Sequence, residues 1–183
     1  MRTIRVIGVA ALLMCPTLLQ AQAPAPIRLD ALRFMQGKWV GEGTSEMGQG
    51  SGYFTFESDL GGKVWIRHNH SEYPQPNGKP PAVHEDVMIV YTDAGLVRAF
   101  YTDTENHTIP YRVTISEDEK TITFLSDPQA GQPRYRLTYL RLEPGRMTVV
   151  LEMAAPDHPD EFRKTVEGRV RRVSRIKTKG KQP

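Results

Sequence analysis

The chain has a single cysteine, Cys15, and it falls in an N-terminal stretch expected to be cleaved off. A mature form would then carry no thiol, which excludes a cysteine nucleophile, thiolate-bound zinc and CxxC redox chemistry, and leaves the fold to stand without disulfides. Signature motifs are lacking as well: there is no glycine-rich phosphate loop before a helix, no HExxH and no GxSxG. The main apolar run, Val6 to Leu19, is interrupted by Cys15-Pro16 and is short of the roughly 20 residues of a membrane-spanning helix. Histidine is scarce, at His68, His70, His84, His107 and His158, so any imidazole chemistry must come from these five.

Arg2 and Arg5, the apolar run and Ala21-Gln22-Ala23 stand in the order of an export signal. Residues 1–23 are therefore expected to be a leader, with the mature N-terminus at Pro24, or at Gln22 if the proline ring blocks the first bond. Met14 before Cys15 is too bulky for a lipid-attachment site. A periplasmic or secreted protein follows from this reading. The remaining 160 or so residues suit one domain, assigned to 24–175, with a basic C-terminal tail at 176–183.

The formal net charge of +3 is unevenly placed. From Lys164 onward eight Lys or Arg face only Glu167, so the body before Lys164 is net negative. An acidic body on an exported chain excludes a nucleic-acid partner, and the basic end reads as a solvated tail. No stable membrane insertion is expected either.

What is present is a succession of short alternating segments punctuated by turn residues. Leu29 to Met35 forms one or two helical turns, and Lys38 to Gly43 enters an extended segment in which Trp39 covers one end of the core. Gly50 to His70 reads as two strands joined at Asp59-Leu60-Gly61-Gly62. Residues 73–83, with four prolines and Asn77-Gly78, make a loop long enough to flank an opening. Val87 to Thr92 and Leu96 to Thr102 pair around Asp93-Ala94-Gly95, and Tyr135 to Leu142 pairs with Met147 to Met153 around Glu143-Pro144-Gly145. His107 to Ile115 and Thr121 to Leu125 lie between these hairpins, Pro110 marking an edge or a bulge, and Phe162 to Val173 is the last strand. The expected fold is all-β: an antiparallel, mainly meander β-barrel of about ten strands with a short N-terminal helical turn, closure removing the exposed edges of so long a sheet.

The segment Phe34-Met35-Gln36-Gly37-Lys38-Trp39-Val40-Gly41-Glu42-Gly43 resembles the start of small lipocalin-like (calycin-type) barrels, including the DUF1579-type bacterial family and, more distantly, nitrobindin-like proteins. There a short helical piece runs into Gly-x-Trp-x-Gly at the first strand. The likeness spans Leu32 to Leu60 and implies the barrel. Nitrobindin-like proteins hold haem through a histidine near the C-terminal end of the barrel; Phe162 to Val173 has none and His158 falls in a Pro/Asp loop, so haem is not implied. The cofactor stays open.

Strand alternation then nominates inward residues. Phe54, Phe56, Val64, Ile66, Val113, Ile115, Leu137, Val149 and Leu151 are expected to form the core. Val64, Ile66, His68 and His70 share one face that turns from apolar to polar, and His107 to Ile115 shows the reverse gradient. On this reading His68, His70 and His107 line a barrel mouth, with Tyr101 and Tyr111 as aromatic walls and Tyr135 and Tyr139 also inward. His68-x-His70 has the spacing of two-histidine metal sites, with Glu85, His84 or His107 as a third ligand, but same-face histidines at a rim are more often simply hydrogen-bonded, and no metal site is assigned. Arg67, Arg98, Arg112 and Arg136 are read as an outer face, paired with Glu57, Asp86 and Glu152. The functional expectation is a barrel binding a small amphipathic molecule. The alternatives are a scaffold without ligand, and a hydrolase or isomerase using His68 or His70 with Glu85 or Asp86; no catalytic residue is assigned.

Overall fold

The computed structural model describes residues 29–42 and 50–173. The expected leader with Cys15, the Gly43 end of the first extended segment and the basic tail lie outside the described residues. The rest is a single closed antiparallel meander. Strands β1 (Gly37–Glu42), β2 (Ser51–Asp59), β3 (Val64–Tyr73), β4 (Ala82–Asp93), β5 (Leu96–Asp103), β6 (Thr108–Ile115), β7 (Thr121–Ser126), β8 (Arg134–Glu143), β9 (Arg146–Ala154) and β10 (Arg163–Arg172) follow one another around the barrel, and β10 closes on β1. The expected hairpins are present. Ala94 and Gly95 carry φ of 46° and 78°, the left-handed pair that lets a two-residue turn match strand twist. Pro110 lies on no free edge, since the barrel is closed, and the β5–β6 register has no shift; the β6–β7 ladder simply begins one residue later, at Tyr111.

One end of the barrel is plugged. The 3₁₀ helix Leu29–Met35 buries Leu29, Ala31, Leu32 and Met35. Trp39 is 1% exposed and donates its indole N–H to the Met35 carbonyl at 2.6 Å, so the apolar body and the polar tip of that ring are both satisfied. The Arg172 guanidinium sits 4.9 Å from the Trp39 ring centre and also donates to the Phe34 carbonyl. Above the plug, Phe54, Phe56, Phe124, Tyr139 and Tyr111 meet edge to face, at centroid separations of 5.8–6.3 Å, each such pair adding roughly 0.5–1.5 kcal/mol to simple burial.

The inward faces of β2, β5, β6, β8 and β9 match the sequence expectation: Phe54, Phe56, Val113 and Leu137 are buried, and Ile115, Val149 and Leu151 pack partly buried against the core. Strand β3 is inverted relative to it. Phe56 pairs with Arg67 and Phe54 with Asn69, and paired residues share a face. Trp65 and Arg67 are therefore inside, at 3% and 8% exposure, while Val64, Ile66, His68 and His70 face outward. The cause is a buried ion pair. Arg67 donates to Asp86, whose side chain is 3% exposed, so a cation occupies a core position and makes the true inward face look polar. Asp86 was among the acids expected to pair with these arginines on an outer face, but its pair with Arg67 lies inside the barrel. Arg136 and Glu152 pair as expected, at 2.5 and 2.7 Å.

Near the other end of the barrel, β2 and β3 run unusually close. A Cβ on Gly52 would stand 2.3 Å from the His70 carbonyl oxygen and 2.9 Å from the Ser71 Cα, so only glycine fits.

Candidate functional site

The end opposite the helical plug opens into a cavity of about 460 Å³. Strand direction sets its layers. Along β3 the inward residues run Trp65, Arg67, Asn69, Ser71, Tyr73 from core to mouth; along β4 they run Val90, Met88, Asp86, His84, Ala82; along β5 they run Val97, Ala99, Tyr101, Asp103. The Arg67–Asp86 pair thus forms the floor; in register Tyr101 lies level with Arg67 through Met88, Tyr111 one layer deeper beside Ala99, and His84 one step nearer the mouth than Asp86. Tyr101 and Tyr111 contact edge to face at 6.3 Å.

The two sides differ in chemistry. β3, β4 and β5 contribute Arg67, Asn69, Ser71, His84, Asp86 and Asp103. Across the barrel, β8, β9 and β10 contribute Leu137, Val149, Leu151 and Val166. The cavity is therefore amphipathic from wall to wall, which the expected gradient along a single strand did not capture.

The polar wall is a connected network. The His84 ring lies 3.3 Å from the Asp86 carboxylate through Nε2, which is also 3.4 Å from the Tyr101 hydroxyl; Nδ1 lies 2.8 Å from Glu105. The Asp103 carboxylate accepts from the Tyr101 hydroxyl at 3.1 Å, from the Glu105 and His107 backbone N–H groups at 3.0 and 2.9 Å, and meets the His107 ring at 2.8 Å. Burial alone would raise the Asp103 pKa, but those hydrogen bonds outweigh it and hold the group below the usual carboxylate range. Burial, reinforced by the charges of Asp86 and Asp103, pushes the Tyr101 phenol far up; burial does the same to Tyr111 and brings Tyr139 to about 12. These hydroxyls are thus neutral donors across the physiological range. Arg67 Nε and Tyr139 Oη are buried without a protein hydrogen-bond partner.

Of the residues nominated from sequence, Tyr101, Tyr111 and His107 come together on this cavity. His68 and His70 do not join them: they line a separate outer groove with Tyr53, Glu85, Val87 and Thr102. His70 is clamped there between Glu85 at 2.9 Å and Glu72 at 3.0 Å, with the Tyr53 ring stacked on it at 5.5 Å. The nominated His70–Glu85 pair does form, but on the barrel exterior. The hydrogen bonds that its ring donates to Glu72 and then Glu85 when charged raise the His70 pKa above its ordinary value.

Arg67, Asp103 and Glu105 were not recognised as site residues, and Asp86 was named only as an acid partner for His68 or His70. A signal for Asp86 existed: it shares a face with Met88 and Val90, both fully buried, so alternation alone carries the inward face of β4 through Asp86 to His84. Among the described residues no helix is long and apolar enough to cross a membrane. In comparisons with known proteins, no protein-family model and no curated protein matches this chain.

Proposed function

We propose that the protein is a small-molecule-binding barrel whose ligand is amphipathic and lies in the 460 Å³ cavity. The observation that carries this reading is the division of the cavity into an aliphatic wall on β8–β10 and a polar wall on β3–β5. A barrel that needed only stability would fill this space with side chains. Here an apolar surface is left uncovered opposite a costly buried ion pair, and the volume is within the range of ligand pockets, roughly 300–1,000 Å³. Tyr101, Tyr111 and His107 are the nominated contacts, joined by Arg67, whose unpartnered Nε is a donor at the cavity floor. The export signal and the lipocalin-like opening support a periplasmic or secreted carrier, and both are part of this proposal.

The test is fluorescence titration with N-phenyl-1-naphthylamine, a neutral, largely apolar dye with one N–H donor that brightens in apolar surroundings. Wild-type protein should bind it saturably, and Leu151→Trp, which fills the aliphatic wall, should abolish binding while the barrel stays folded by circular dichroism. Equal binding by the filled variant would place the dye elsewhere and overturn the reading.

A further inference from the structure

At the rim of the cavity His84, Asp103 and Glu105 bring one imidazole nitrogen and two carboxylate oxygens within 4.8 Å of one another. We propose that these three residues form a site for a divalent transition ion of the zinc class. These residues also line the cavity proposed for the organic ligand, but titration with the metal ion alone reads the site without that ligand.

What distinguishes this cluster is that two of its members are held in place by a further layer of groups. If His84 ligates through Nδ1, the nitrogen now 2.8 Å from Glu105, its Nε2–H points to the Asp86 carboxylate at 3.3 Å. Asp86 is in turn fixed by Arg67 in the interior. A carboxylate behind the histidine sets the tautomer and the ring orientation and makes the metal-facing nitrogen more basic. Asp103 is oriented in the same way, by two backbone N–H groups on Oδ1 and by the Tyr101 hydroxyl on Oδ2. Its side chain is 3% exposed, and Glu105 closes the site from the solvent side.

The distances require little movement. Ligand bonds of roughly 2.0–2.2 Å in a tetrahedron put donor atoms about 3.3 Å apart, so each atom of the cluster shifts by about an ångström or less. Asp103 Oδ2 now also meets the His107 ring at 2.8 Å. That ring is 57% exposed and is the group that gives way when Asp103 turns to the ion. Imidazole with carboxylates suits zinc, manganese or iron(II) better than calcium or magnesium, which favour all-oxygen shells. The two carboxylates neutralise the charge of the ion.

Isothermal titration of the metal-free full chain with zinc chloride tests this, with magnesium and calcium chloride as comparisons. One zinc per chain is expected, bound in preference to the other two ions. His84→Ala and Glu105→Gln should each weaken binding by at least about tenfold, and His70→Ala, which alters the outer His70–Glu72–Glu85 cluster, should leave affinity within about twofold. Glu105 is exposed, so its variant folds whatever becomes of the His84 substitution. Unchanged affinity in Glu105→Gln, loss of binding in His70→Ala, or no saturable binding at millimolar zinc would each overturn the site.

Discussion

Replacing Arg67 by Met probes the feature that most sets this barrel apart. Arg67 and Asp86 have side-chain exposures of 10% and 3%. Met keeps much of the aliphatic bulk of arginine and removes the charge, so the Asp86 carboxylate loses its main partner and retains the His84 ring at 3.3 Å. Breaking a buried pair in this way costs about 3–5 kcal/mol, a large share of the 5–15 kcal/mol that holds a domain together. Asp86→Leu should cost a similar amount by leaving the guanidinium unpaired. The double variant is the informative one. With both charges gone the desolvation penalty disappears, and Arg67→Met/Asp86→Leu should be near wild-type stability or above it, rather than about 6–10 kcal/mol below. Urea denaturation followed by fluorescence, with linear extrapolation and a check that the slope is unchanged, gives the four free energies of the cycle. A solvated surface pair would contribute only about 0–1 kcal/mol. Single-variant losses in that range, or losses that simply add in the double variant, would refute the placement of this pair in the barrel floor.

Three further outcomes follow from packing and hydrogen bonding. Phe56→Ala, at a fully buried position in the ring cluster, should lower stability by about 3–5 kcal/mol in the same assay. Gly52→Ala forces a methyl group against the β3 backbone and should cost about 1–3 kcal/mol, whereas Gly41→Ala meets nothing within 4 Å and should be far milder. The His70 ring should titrate above the usual histidine value by NMR, because Glu72 and Glu85 hydrogen-bond its charged form and outweigh its desolvation. Since its folded pKa is raised, the stabilisation from this cluster is complete below the unfolded-state histidine pKa, about 6.5, and is lost as pH rises through the folded midpoint. Glu72→Gln/Glu85→Gln should return the midpoint toward the ordinary value.

The parts of the fold that were legible in the sequence are those governed by local chemistry. Asp93-Ala94-Gly95 and Glu143-Pro144-Gly145 specify turns through Gly95 and Gly145, which take left-handed backbone at φ 78° and 83°, and the plug is legible because Leu29, Leu32 and Met35 recur at helical spacing. Tyr101 and Tyr111 were legible as inward residues because each continues an apolar face, Val97-Ala99 and Val113-Ile115. β3 was not, because alternation assigns a strand face by polarity and Arg67 reverses that assignment. The bulk of Trp65, out of phase with Val64 and Ile66, was the one contrary signal. The cluster of His84, Asp103 and Glu105 joins β4 to the start of the β5–β6 loop, a contact set by register across strands and not by spacing within one.

The most direct test of the central claim is native mass spectrometry of the protein isolated from its own cells, wild type beside Leu151→Trp. A ligand-binding cavity predicts wild-type protein heavier than its polypeptide by a discrete small-molecule mass, released on gentle activation and missing from the filled variant. Bare polypeptide in both, or the same added mass retained by Leu151→Trp, would contradict the account.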